Sequence, residues 1–382
     1  MTFRLPAIVG LACALSALHA VAAINIAFVG TLSGPDAAAG RDQRDGFLLA
    51  ISQAHGRLGG VDVGVSSFDA GARAENVPRI ARQISAAGMQ FITGFTDSGA
   101  ALALREQLRN KRVLMFSSGA GPIALAGEGC SRNFFSTAPA DDVVHENAGA
   151  IAQRRRYTKA YLIVPPNSQG SVDSAFKRQF SGNVEVADYA TEMPIAPQID
   201  RIRLGAPSVV YVALRSDDLR HFLDAYKSAG LFHRVPVIVA QIDPELLGTL
   251  GPSFDGTIVS VRWAPSAETA RSQAFVEAFE QRYGRLPSYF AMQGYEGALM
   301  LGEAFRTAKR STLTVESVER ALTTQHVEGI AGPVRLAANG FPTTDWQAWE
   351  IFSDAAGKPY LVARESTLDK HVDSHLERCA AR

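Results

Sequence analysis

Beyond residue 23 the chain alternates short β-branched runs with stretches whose apolar positions recur every three or four residues. Those two periods separate strand from amphipathic helix. Residues 24–31 read as a strand, and 46–54 as a helix burying Phe47, Leu48 and Ile51. A strand over 61–69 precedes a helix whose inner face is Val77, Ile80, Ala81 and Ile84, at i, i+3, i+4 and i+7. Strand 90–94, helix 98–110 and strand 113–117 continue the alternation. Strands alternating with helices in this way predict a parallel sheet covered on both faces.

The pattern restarts after Asp141. A helix around Val144, Ala148 and Ile151 leads to strand 159–164, helix 168–180, strand 184–189 and strand 208–213. The helix over 216–229 buries Leu219, Phe222, Leu223 and Tyr226. Two consecutive α/β units imply two lobes. After Trp263 the texture turns helical, with long helices over 268–284 and 289–310 and a shorter one over 314–323. Strand-like 332–336 and 345–352 flank a Gly-Phe-Pro turn. This last block packs back onto both lobes, so the chain crosses between them more than once. Several crossings make a hinge, and a hinge places a cleft between lobes.

Length fits that picture, since 382 residues exceed one ordinary core. Lys+Arg (38) equal Asp+Glu (38), so no net field draws the protein to nucleic acid or anionic lipid. At the start, Arg4 precedes an apolar run from Leu5 to Leu18 and then Ala20-Val21-Ala22-Ala23. This is the form of a secretory signal peptide cut after Ala22 or Ala23. Cys13 does not make a lipid-attachment site, because Gly10 stands where Leu is wanted. No later run reaches the ~20 apolar residues of a spanning helix. Export to the periplasm as a protein not embedded in the membrane is the expectation. Cleavage leaves Cys130 and Cys379, an even count that favours a disulfide in an oxidising compartment. The alternative is two unpaired buried thiols.

No catalytic set emerges, so an enzyme is not expected. The chain lacks G-x-S-x-G, G-x-x-x-x-G-K-[ST] and H-E-x-x-H. Gly30-Thr31-Leu32-Ser33-Gly34 follows a strand without dinucleotide-fingerprint spacing, and no cofactor is expected. His371 and His375 are i, i+4 on an expected tail helix, where they read as a metal pair or, more simply, as a solvated face. Arg154, Arg155 and Arg156 read as an exposed helix C-terminus. Small-molecule capture fits better. Ligands of open parallel sheets sit beyond the strand C-termini, against helix starts. Strand 90–94 ends in Asp97-Ser98-Gly99, with Ser98 placed as helix N-cap, and strand 113–117 ends in Ser118-Gly119-Ala120-Gly121. Hydroxyls and freed backbone N–H groups there suit a carboxylate.

The run from Ile24 to Pro35, then Gly40 and Gly46-Phe-Leu-Leu-Ala50, resembles the opening of the leucine/isoleucine/valine-binding protein family, the type I periplasmic solute-binding proteins of ABC importers. Gly59-Gly60-Val61, Asp69, Phe91-Ile-Thr-Gly94 with Ser98, and Val113-Leu-Met-Phe-Ser117 extend the likeness. So do Gln169-Gly170, Ser208-Val-Val-Tyr-Val212, Tyr226-Lys-Ser-Ala-Gly-Leu231, Tyr295 and Gly332-Pro-Val-Arg-Leu336. The resemblance implies two doubly wound parallel-sheet α/β lobes joined by a multi-strand hinge. Lobe one would be 24–137 plus 264–337, and lobe two 138–263 plus 338–382 with the tail.

By the same resemblance Ser98 matches the hydroxyl that holds a ligand carboxylate, and Gly119 a backbone contact. Ala39 stands where an aromatic often covers the ligand, and Ala120 or Gly121 where a Thr helps seat an ammonium. Gln241 aligns with the acid that neutralises that ammonium. Near Leu214 an aromatic is missing, with Arg215 beside it. Asp97, Ser118, Gln169 and Tyr295 complete the expected ligand set. A buried ammonium without a carboxylate is poorly held, whereas a carboxamide suits a neutral polar group. Arg215 or Arg262, if facing the cleft, favour a second anion. The expected ligand is an organic acid, aromatic or dicarboxylic, rather than leucine. The implied partners are ABC permease subunits, with the protein itself a monomer. A sensory receptor of the same fold, serving a membrane kinase, is the rival.

Overall fold

The computed structural model describes residues 23–34, 36–72, 74–309 and 313–380. The expected signal segment, apart from Ala23, lies outside the described residues. One sheet holds β1 (Ile24–Gly30), β2 (Arg57–Leu58), β3 (Val61–Asp69), β4 (Phe91–Gly94), β5 (Leu114–Ser117) and β6 (Phe134–Ser136). Their order is β2-β3-β1-β4-β5-β6, parallel except for the β2–β3 hairpin. Between them run α1 (Ala37–Gln53), α2 (Val77–Ala86), α3 (Ser98–Gln107) and α4 (Ile123–Ala126).

Successive strand side chains point to opposite faces, and the two faces find different partners. Ile26, Phe28, Phe91, Leu114 and Phe116 pack toward α1 and two later helices. Ala27, Val29, Ile92 and Met115 pack toward α2 and α3. This is the doubly wound arrangement that the alternating sequence predicts.

The second unit runs α5 (Val143–Arg154), β7 (Lys159–Val164), α6 (Gln169–Gln179), β8 (Asn183–Asp188), α7 (Ala196–Gly205) and β9 (Val209–Val212). It continues with α8 (Ser216–Ser228), β10 (Val237–Val239), α9 (Pro244–Thr249) and β11 (Ile258–Val261). The chain then makes α10 (Ala270–Tyr283), α11 (Tyr289–Ala308), α12 (Val315–Leu322), β12 (His326–Glu328), β13 (Pro333–Leu336), β14 (Pro342–Ser353) and β15 (Pro359–His371). Strand order in the second sheet is β12-β13-β14-β11-β10-β9-β7-β8, with β15 on β14. Helices α11 and α12, with Val334 and Leu336 of β13, return to the core of the first sheet.

The β14–β15 ribbon joins the lobes. Phe341, Trp346 and Leu368 pack into a core of the first lobe, whereas Trp349, Ile351 and Leu361 pack into the second. Irregular register between Thr344 and Trp349 supplies the twist that lets one ribbon face two cores.

Three expectations need correction. Helix α1 begins at Ala37, nine residues before the expected start at Gly46. Gly40 and Gly46 read as breakers in sequence but serve close approach: a Cβ at Gly40 would lie 1.9 Å from Thr31 O, and one at Gly46 1.9 Å from Ala291 O. The tail is not a helix through His371 and His375. It is mostly β15, with its thirteen residues covering β14. His371 and His375 are not on a solvated face either: Nε2 of His371 lies 2.8 Å from Glu146, and Nε2 of His375 lies 2.8 Å from Asp142. Last, Arg155 is not free at the end of α5, because it pairs with Glu350 at 2.6 Å and Glu365 at 3.0 Å.

Candidate functional site

Both sheets direct strand C-termini toward the space between the lobes. A cavity of about 360 Å³ lies there. The first lobe contributes Thr96, Asp97, Ser98 and Gly119, and the start of α11 contributes Tyr289, Phe290 and Gln293. The second lobe contributes Val144, His145, Ala213, Arg215, Ala240, Gln241, Ser260 and Val261. The linking segments add Ala138–Asp141 and Trp346. A wider outer space of about 660 Å³ shares Arg215, Gln241 and Phe290 and mixes charged residues such as Asp42, Asp217, Arg220 and Arg285 with Ala38, Ala39, Leu219 and Leu286. The inner cavity is the better ligand site, because it combines an apolar wall with a few convergent polar groups.

The first-lobe end of the cavity is built on strained, tightly held backbone. Gly94 has φ of 104° and Phe95 φ of 64°, a left-handed conformation that costs a non-glycine residue and persists only where its surroundings impose it. Gln43, fully buried on α1, imposes it: Nε2 donates to Gly94 O at 3.0 Å, Phe95 O at 3.3 Å and Ser118 Oγ at 3.0 Å. One side chain thus ties the loops after β4 and β5 together. Asp97, not Ser98, is the N-cap of α3, since its Oδ1 accepts from Ala100 N at 2.7 Å. A carboxylate outcompetes a hydroxyl for that place because it meets the helix dipole with charge.

Ser98, released from capping, donates from Oγ to Asp141 Oδ2 at 2.5 Å. Gly121 N donates to Asp141 Oδ1 at 2.8 Å. Asp141 is exposed toward the cleft and lies among the residues that line it. Desolvation raises its carboxyl pKa against the lowering effect of Ser98 and Gly121.

On the opposite wall His145 Nδ1 lies 2.5 Å from Tyr211 Oη. Burial holds the Tyr211 hydroxyl protonated, far above its ordinary range, and the pair shares one hydrogen bond whose direction follows the His145 tautomer. Desolvation lowers the His145 pKa to about 4. The imidazole facing the cavity is therefore neutral at physiological pH. Arg215 spans the lobes, with its guanidinium 5.3 Å from the centre of the Phe290 ring, a cation–π contact.

The structure brings Asp97, Ser98, Gly119, Arg215 and Gln241 to one cavity. Gly121 reaches it through Asp141. Ser118 lies fully buried behind it, bonded to Gln43, and Ala120 N turns inward to Ser117 Oγ at 3.3 Å. Gln169 starts α6 away from the cavity. Tyr295 packs on Phe275 and donates to Gln53 Oε1 at 2.6 Å. Asp141, His145, Phe290, Trp346 and Gln43 went unread in sequence. The signal for Phe290 was available: Ser288 caps α11, so the aromatic two residues later sits at a helix start like Ser98.

Two lobes joined by several crossings, with a polar-and-aromatic cavity between strand C-termini, define a two-lobed solute-binding protein. The sequence profile described as "Periplasmic binding protein" matches residues 23–356, and the chain belongs to that family, among the ABC-type solute-binding proteins of the branched-chain amino acid group. It is 24% identical to the Leu/Ile/Val-binding protein homolog 4 of Brucella abortus, over 97% of each chain. A solute-binding protein from R. palustris in complex with benzoate superposes with a TM-score of 0.82 at 21% identity, covering 94% of this chain and 100% of that one. Another, from Rhodopseudomonas palustris BisB5 in complex with 3,4-dihydroxy benzoic acid, gives 0.83 at 19% identity, over 92% and 99%. Both R. palustris relatives are described as solute-binding proteins of ABC transporters. Among the described residues no helix is long and apolar enough to cross a membrane.

Proposed function

We propose that the protein receives a small monocarboxylic acid, aromatic by preference, in the cleft and delivers it to ABC permease subunits. The observation that carries this reading is the pairing, across one cavity, of the Ser98–Asp141 hydroxyl–carboxyl unit with a wall of Tyr289, Phe290 and Trp346. The ligand carboxylate lies against Ser98 and the Gly119 backbone at the start of α3, and its body against the aromatic wall. Gln241 supports an acid over an α-amino acid, because a carboxamide leaves a ligand ammonium without a counter-charge. The benzoate and dihydroxybenzoate held by the two R. palustris relatives support the same class.

Titration calorimetry with benzoate and with leucine tests the reading. Benzoate should bind the wild type, and Ser98→Ala should weaken it by about 1–2 kcal/mol, the usual worth of one hydrogen bond to a charged group. Gln241→Glu should weaken benzoate further by repulsion and improve leucine. Tight leucine binding by the wild type, indifferent to Gln241→Glu, contradicts the assignment.

A further inference from the structure

The inner end of the cleft borders buried polar atoms whose hydrogen-bonding capacity is incompletely met among the described residues. Helix α11 carries Tyr289, Gln293 and Glu296 at i, i+4 and i+7, which places them on one face. Arg262, the first residue after β11, lies against that face. It is 3% exposed, yet Nε, Nη1 and Nη2 have no hydrogen-bond partner among the described residues. Its nearest acidic contact is Glu296 Oε2 at 3.7 Å. Gln293 Oε1 and Glu296 Oε2 are likewise buried without a hydrogen-bond partner among the described residues, and Tyr289 Oη has only Arg262 beside it. Glu296 is fixed by its other oxygen, which accepts from Ala331 N at 2.8 Å. Burial raises the Tyr289 hydroxyl pKa, and the nearby Arg262 offsets part of that rise.

Tyr289 and Gln293 also line the cavity, beside Ser260 and Val261, and Gln293 is only 4% exposed. A buried donor or acceptor left unmade carries its full desolvation penalty, and native proteins complete nearly all such groups. Tyr289 and Gln293 line the cleft, so a polar group of a bound ligand, in place of a trapped water, is positioned to complete them.

We propose that Tyr289 and Gln293, backed by the buried Arg262–Glu296 pair, form a second recognition point for a hydroxyl group on the ligand. This rests on the reading that a small acid occupies the cleft. A hydroxyl gives its proton to Gln293 Oε1 and accepts one from Tyr289 Oη. A second carboxylate fits poorly, because it has no proton for Gln293 Oε1 and would stand beside Glu296, whose charge already offsets that of Arg262. The ligand class is thereby narrowed to hydroxylated monocarboxylic acids.

Calorimetry on matched pairs tests this: benzoate against 3- and 4-hydroxybenzoate, and hexanoate against 6-hydroxyhexanoate. In the wild type a hydroxylated member should bind at least about tenfold more tightly than its parent. Gln293→Met and Tyr289→Phe should each shrink that ratio, because they weaken the hydroxylated member more than its parent. Ser98→Ala should weaken both members of a pair alike, with the ratio intact. A ratio near one for every pair in the wild type, or a full ratio retained in both Gln293→Met and Tyr289→Phe, overturns the proposal and leaves the carboxylate reading standing. If none of these acids binds, both fall.

Discussion

Acidification from about pH 7 to about pH 4 is expected to cost the fold up to about 3 kcal/mol through His145. Its folded pKa is lowered from 6.5 to about 4, first by desolvation and also by Arg178, against the pull of Asp142 and Glu146. Between those values the unfolded chain binds a proton that the folded protein refuses, so stability falls as pH falls through this window. The ring has some surface on the cleft, and water there reduces the figure. Asp142 and Glu146 add a separate loss at lower pH. Burial opposes their ionisation, but His375 and Arg178 hold Asp142, and His371 and Arg178 hold Glu146, below the ordinary carboxylate range. Their contribution is present above the unfolded values and lost below them. Urea denaturation at a series of pH values checks this. His145→Gln, which can still hydrogen-bond to Tyr211, should flatten the curve between about pH 6.5 and about pH 4 and keep the loss below it. An unchanged slope in that variant would assign the window to other groups.

Removal of the Cys130–Cys379 bridge should be costlier still. The sulfurs are bonded, with Cα atoms 5.6 Å apart and 249 positions between them in sequence. Cross-linking so long a loop restrains the unfolded chain, and loss of a native disulfide typically costs about 2–5 kcal/mol. The bridge ties the chain end to the loop after α4, where Asn339 also donates to Asp373 at 2.7 Å and His375 meets Asp142. These contacts survive without sulfur, so Cys130→Ser with Cys379→Ser should yield a folded but less stable protein. A denaturation midpoint equal to wild type, or an intact mass showing two free thiols in the exported wild type, would count against the bridge.

Strands β1, β4, β5 and β7 were legible because each is a short apolar run bounded by turn residues. Helices α8, α11 and α12 were legible from their apolar spacing. The start of α1 was not, because Gly40 and Gly46 look like interruptions until Thr31 and Ala291 press against them. Strand β15 was hidden because its apolar start, 360–363, gives way to the mostly polar 364–371, which shows no clean alternation. At the site, Ser98 and Gly119 could be found from the strand-end pattern and Gln241 from family resemblance. Asp141 and His145 could not. Their roles arise where a linking segment passes between lobes, and no local spacing records that.

The central claim is that the lobes close on a ligand held between them. Small-angle scattering of the purified protein, with and without an acid shown to bind by calorimetry, tests it most directly. A hinged pair that traps its ligand must bring the cleft faces together, so the radius of gyration should fall on saturation. An unchanged radius of gyration with the site demonstrably full would contradict the account.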